Sequence, residues 1–229
     1  MFVDDTGEVR DRDGSAISAI AALDEPTRRR LYDYVVGRRH PVGRDEAAEA
    51  LGLARQTAAF HLDRLAAEHL LDVLHVRRSG RSGPGAGRPA KLYRRSAAQI
   101  AVSLPDRRYE LAGRLLARAV EESAAGGEPV RDVLHRRARE LGVRLGTDGD
   151  GREVLRVLER YGFEPRHDGG SVVLGNCPFH ALARAHTQTV CGMNLHLMRG
   201  VLEGLGGTGF EARLAPEPGR CCVRLEPAA

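Results

Sequence analysis

Four cysteines are the residues in this chain best suited to chemistry, and all of them fall in the last 53 of its 229 residues. Cys177 is followed by Pro178, Phe179 and His180. Thirteen residues separate Cys177 from Cys191, and 29 more separate Cys191 from the adjacent pair Cys221-Cys222. Thiolates are soft ligands that suit zinc or an iron–sulfur cluster. Cys177-x2-His180 is also a zinc-like spacing, so Cys177, His180, Cys191 and one of the terminal pair would complete a tetrahedral site. Residues 221–225 read as a strand, where neighbours point to opposite faces. Only one of Cys221 and Cys222 is then an easy ligand, and which one stays open. The competing reading is four ordinary buried cysteines. His186 and His196 read as surface or satisfied core residues. Cys177 with His180 is the only local thiol–base pair that nucleophilic catalysis could use. There is no Gly-rich phosphate loop and no nucleophile elbow, so the chain is not expected to be an enzyme.

A second group of candidate residues lies far from the cysteines. Arg55, Gln56 and Thr57 open a helical segment, with His61 and Arg64 one and two turns further on. Arg can read guanine and Gln can read adenine in a DNA major groove. Between Val73 and Arg95 stand seven basic residues (Arg77, Arg78, Arg81, Arg88, Lys91, Arg94 and Arg95) and no acidic one. A one-sign run of this kind is a phosphate-binding footprint, with a solvated charged loop as its bland alternative. The net charge of +4 says little by itself.

The elements that must position these residues follow from periodicity and punctuation. Residues 1–14 read as a disordered polar tail. A short apolar helix covers residues 15–23, and Pro26 fits the first turn of a helix reaching about Arg38. A break at His40–Gly43 precedes a short helix over Arg44–Leu51, which Gly52 stops. The helix at Ala54–His69 is the candidate reading helix. Leu71–Arg78 and Ala90–Arg94 read as a hairpin around a Gly/Ser/Pro loop. Two longer helices are expected at 106–123 and 128–145, then a hydrophilic linker at 146–151. A helix to Tyr161, strands at 163–167 and 171–174, a helical stretch over 178–205 and strands near 210–214 and 221–225 complete the reading.

Short helix, tight turn, second helix and basic hairpin, in that order, are the parts of a winged helix-turn-helix. Leu23-Asp24-Glu25-Pro26-Thr27-Arg28-Arg29-Arg30-Leu31 resembles the first helix of ArsR-like winged-helix repressors. Leu51-Gly52-Leu53-Ala54-Arg55-Gln56-Thr57-Ala58-Ala59-Phe60-His61-Leu62 resembles their DNA-reading segment. Gly87-Arg88-Pro89-Ala90-Lys91-Leu92-Tyr93 is similar to the wing end of the branch that contains SufR-type regulators. Members of that branch hold an iron–sulfur cluster and repress genes of cluster assembly. Cys177-Pro178, Cys191 and Cys221 or Cys222 match their cysteine layout. Three features depart from it: a slightly longer first interval, a histidine three rather than four places after the cysteine, and the sequence Gly192-Met193-Asn194-Leu195.

The expected fold class is therefore α+β: an N-terminal winged helix-turn-helix over 15–96, central helices for dimerisation over 97–147, and a C-terminal α/β sensor domain over 148–229 carrying the cysteine cluster. Double-stranded DNA and a second copy of the chain are the expected partners. The expected cofactor is an iron–sulfur cluster, with zinc as the alternative. A composition of 42% hydrophobic and 29% charged residues is that of a globular chain. No apolar run approaches the roughly 20 residues of a membrane span, and the acidic, polar start is unlike a signal peptide. A cytoplasmic location is expected, where disulfides are rare.

Overall fold

The computed structural model describes residues 14–76, 89–148, 153–217 and 219–228. They divide into two units that meet in the chain between Val102 and Ser103.

The N-terminal unit begins with α1 (Gly14–Ala22) and α2 (Pro26–Val36). The Glu25 carboxylate caps α2, accepting from the backbone N–H of Thr27 at 3.0 Å and of Arg28 at 2.6 Å. Pro26 takes the first turn, where a missing N–H costs nothing. Residues 42–43, read from sequence as part of a break, form a short strand β1 (Val42–Gly43), and Val42 is fully buried. α3 (Arg44–Leu51) stops at Gly52, whose φ of 65° is open to glycine without strain. α4 (Arg55–Ala67) starts three residues later. Its inner face is Ala58, Leu62 and Leu65, spaced at helical intervals and buried. β2 (Leu71–Val76) and β3 (Ala90–Arg95) pair antiparallel, with Leu71 opposite Arg95 and Val76 opposite Ala90. β1 adds to the other edge of β3, Val42 opposite Tyr93, giving the order β1-β3-β2.

The C-terminal unit contains α5 (Tyr109–Gly126), α6 (Val130–Thr147), α7 (Val154–Arg160), β4 (Pro165–Asp168), β5 (Ser171–Leu174), α8 (His180–Ala185), α9 (Thr187–Leu205), β6 (Phe210–Leu214) and β7 (Val223–Pro227). The strands form one antiparallel sheet in the order β4-β5-β7-β6. α5, α6, α9 and the sheet share one core, in which Leu134, Phe179, Met193, Leu197 and Leu225 are almost fully buried. Residues 103–148 thus fold with the C-terminal residues, and α6 spends its apolar face on α9.

That α6–α9 contact explains one departure from the sequence reading. Gly146, expected in a linker, is inside α6 and buried. Gly142 and Gly146 on α6 face Gly200 and Gly204 on α9, and the two backbones approach so closely that a Cβ on any of the four would overlap the opposite main chain. Only glycine permits this approach. Two further differences bear on the cysteines. The helical stretch expected over 178–205 divides at His186 into α8 and α9. The last strand begins at Val223, so Cys221 and Cys222 precede it. The chain is a mixed α+β protein with two small antiparallel sheets. Among the described residues no helix is long and apolar enough to cross a membrane.

Candidate functional site

In the N-terminal unit, Arg55, Gln56 and Thr57 are all exposed on the first turn of α4. Arg55 Nε lies 2.5 Å from Asp45 Oδ1 of α3, which orients the guanidinium at the mouth of the turn. Arg64 is exposed two turns on and pairs with Glu68 at 2.6 Å. His61 is different. Its side chain is only 14% exposed, and its Nδ1 stands 3.5 Å from Glu25 Oε2, so it faces the start of α2 rather than the outer face. Lys91 on β3 forms an ion pair with Asp63 of α4. Arg77, Arg78, Arg81 and Arg88 lie outside the described residues.

Asp63 was not singled out from the sequence, although it is the one acid on the outer face of α4 among basic and neutral residues. It receives the Tyr93 hydroxyl at 2.6 Å as well as the Lys91 ammonium. Burial raises its carboxyl, but the hydrogen bonds from Lys91 and Tyr93 outweigh that and hold it below the ordinary aspartate range. Burial and Asp63 push the Tyr93 phenol the other way, well above its usual value. The pair locks the outer helix to the middle strand of the sheet, fixing the orientation of the exposed face.

In the C-terminal unit the four cysteines, far apart in sequence, meet in space. Cys177 leads into α8, Cys191 sits in the first turns of α9, and Cys221 and Cys222 form a bend before β7. The Cys177 thiol interacts with that of Cys221, and the Cys191 thiol with that of Cys222; Cys191 also feels the charges of Cys177 and Cys221. The strand argument that allowed only one of Cys221 and Cys222 to reach the cluster fails for a simple reason. The two residues precede the strand, where alternation does not apply, and they interact with each other as well as with Cys177 and Cys191 respectively. All four are free thiols.

Their surroundings are built. Arg107 donates to the Cys177 carbonyl at 3.3 Å and to the Asn176 side-chain oxygen. The Asn176 amide in turn donates to the carbonyls of Asp106 and Gly162, at 3.0 and 2.6 Å. Asn194, one turn after Cys191 and fully buried, donates from Nδ2 to Cys221 Sγ at 3.2 Å. Its Oδ1 is buried with no hydrogen-bond partner among the described residues. The sequence reading does not single out Asn194; the available signal is an amide one helical turn from a cysteine, between the apolar Met193 and Leu195.

The surroundings of Cys177, Cys191 and Cys221 favour the protonated thiol. The Cys221 interaction and burial raise Cys177 far above the ordinary thiol range, and burial raises Cys191. For Cys221 the Cys177 interaction lowers the value, but Cys222 and burial prevail and push it up to about 12. Such thiols are poor nucleophiles. His180 is exposed at the start of α8 while Cys177 is buried, and among the described residues no hydrogen bond joins their side chains. The described contacts bring the sulfurs towards one another and do not bring the His180 imidazole to them. Four soft donors with a buried amide aimed at one of them fit zinc or an iron–sulfur centre by their chemistry. Among the described residues no three Cys, His, Asp or Glu side chains stand in metal-holding geometry; the thiols interact in series, Cys177 with Cys221, Cys221 with Cys222 and Cys222 with Cys191.

His196, expected at the surface or satisfied in the core, is half-buried and stacks on His135 across the α6–α9 contact, with ring centroids 4.2 Å apart and 13° between planes. Burial lowers both pKa values, and His135 lowers His196 further. Because the folded values lie below 6.5, the unfolded chain takes up these protons first as the pH falls. The stabilising contribution is complete above about 6.5 and is lost as the pH drops through the folded values. Urea unfolding at pH 7.5, 6.5 and 5.5 is expected to show this decline. His135→Gln with His196→Gln is expected to flatten it; an unchanged slope in the double variant would count against the pair as its source.

No family model, curated protein or solved structure matches this chain.

Proposed function

We propose that this protein is a DNA-binding transcription regulator, acting as a repressor, and that a metal or iron–sulfur centre held by Cys177, Cys191, Cys221 and Cys222 controls its DNA affinity. In this reading α3, the Gly52 turn, α4 and the β2–β3 hairpin are a winged helix-turn-helix of the ArsR-like kind, related to the SufR-type branch. The observation that carries it is the outer face of α4. Arg55, Gln56, Thr57 and Arg64 are exposed together on a helix that follows a tight turn, as a groove-reading helix requires. Asp45 holds Arg55 at the leading end, and Lys91 and Tyr93 neutralise Asp63, the acid on that face. His61 faces Glu25 and is left out of base contact. The active form is taken to be a homodimer reading two half-sites.

The centre would be held by the four thiolates, with Asn194 donating to Cys221. What it supplies when bound is a cross-link between the lead-in to α8, α9 and the bend before β7. Control of DNA binding requires only that the loaded and unloaded forms differ in DNA affinity.

Four soft sulfur donors suit either zinc or an iron–sulfur cluster. Visible absorption of protein purified without oxygen separates the two: a broad band for a cluster, a colourless protein for zinc.

Anisotropy titration of the full chain against duplexes selected from a random library tests the DNA reading. Log affinity is expected to fall linearly with log salt concentration. Arg55→Ala with Gln56→Ala is expected to weaken binding to the selected site by about 100-fold, while leaving non-specific binding in place. Absence of any selected sequence would overturn the reading. Equal DNA affinity of loaded and chelated protein would overturn the control by the thiol site alone.

A further inference from the structure

Phe60 is the most exposed large apolar side chain described in the N-terminal unit, at 66%. It lies on the outer face of α4, while Ala58, Leu62 and Leu65 fill the inner face. Gln56 is one turn before it and Arg64 one turn after, so the three form a single stripe. Fold stability gives no reason for a phenyl ring at the centre of this stripe, since the ring forgoes burial there. Its orientation is nevertheless held. The His61 ring meets it edge-on, with centroids 5.2 Å apart and 71° between planes, and His61 itself faces Glu25.

A flat apolar group between two hydrogen-bonding side chains matches one feature of a duplex. In the major groove the only apolar group on a base edge is the C5 methyl of thymine, and phenylalanine is among the side chains that contact it. We propose that Phe60 is a specificity-determining residue that packs on a thymine methyl, with Gln56 and Arg64 engaging the base edges or phosphates on either side. This rests on the DNA-binding reading above. Four residues of helix span about 6 Å, or roughly two base steps, so the thymine lies within about two base pairs of the base that Gln56 reads. A protein partner is the less favoured occupant. The ring is flanked at one-turn spacing by Gln56 and Arg64 and is bordered by no second exposed large apolar residue of α4.

The test begins with the site selected from a random duplex library by the full-length protein. Each thymine is then replaced by uracil, which lacks only the methyl group. One replacement is expected to weaken wild-type binding about fourfold. Phe60→Ala is expected to bind the thymine and uracil forms equally, and its melting transition should be unchanged because the ring is exposed. If a site is selected but no uracil substitution matters, or if Phe60→Ala keeps the same sensitivity, the thymine contact is refuted and the DNA reading stands. If Phe60→Ala binds the selected DNA as tightly as wild type, the ring belongs to a protein interface. If no site is selected at all, both readings fall together.

Discussion

Replacing Gly200 by alanine is expected to destabilise the C-terminal unit by about 3 kcal/mol or more, while the same change at Gly113 is expected to stabilise it by roughly 0.5–1 kcal/mol. The two glycines are both in helix interiors, and intrinsic propensity favours alanine at each. Their surroundings decide the sign. Gly113 is exposed on α5, and a Cβ there would meet nothing within 4 Å. At Gly200 the new carbon would overlap the backbone of Arg139 and come within 2.9 Å of Val143 N. Neither neighbour is a flexible side-chain end. Relief requires the α6 and α9 axes to separate, which loosens contacts along both helices. Gly142, Gly146 and Gly204 are in the same position, each against opposing main chain. A thermal melt followed by circular dichroism checks the pair of variants, with a fall of roughly 10 °C for Gly200→Ala. A melt unchanged at Gly200 would mean that the helices do not cross as closely as described.

This crossing shows where sequence reasoning reached its limit. Helix existence is written in local periodicity, and the two long helices and the helix–turn–helix–hairpin order were legible for that reason. Gly52 signalled a stop because a left-handed residue is a local need. Gly146 was misread as part of a linker because its purpose is a contact with a residue 55 positions later (201 − 146), and nothing near it in the chain expresses that. The cysteine cluster divides in the same way. Soft donors announce themselves by type, so the four cysteines were found. Their pairing depends on whether residues 221–222 are strand or bend, a choice made by the sheet register, in which β7 starts at Val223. His61 was chosen by its chemistry and its helix position, but the Glu25 cap that draws it inward lies 36 residues earlier (61 − 25). Asp63 was overlooked because its partners, Lys91 and Tyr93, arrive on a strand after the hairpin.

Alanine at any one of Cys177, Cys191, Cys221 or Cys222 is expected to remove bound metal from protein purified without oxygen, from about one centre per chain to below a tenth. The equal weight given to Cys221 and Cys222 is the discriminating part. If the two stood on a strand, one of them would point away and its loss would be silent. In the bend both have a thiol partner from elsewhere in the chain, Cys221 with Cys177 and Cys222 with Cys191, besides the contact between the two themselves, so neither is expected to be spare. His180→Ala is expected to leave metal content unchanged, because that ring is exposed at the start of α8. Asn194→Leu separates retention from ligation: it keeps all four sulfurs and removes the amide that donates to Cys221 Sγ at 3.2 Å. Partners of this kind typically tune affinity by 10- to 100-fold, so this variant should still load but lose metal to a chelator faster than wild type. Metal and acid-labile sulfide analysis supplies the readout, since inorganic sulfide accompanies a cluster and is absent with zinc. Four alanine variants that melt like wild type and carry the same metal would mean that these are ordinary core cysteines. The raised pKa values of Cys177, Cys191 and Cys221 would then reflect burial and mutual contact alone, and control of DNA binding would have to come from another part of the molecule.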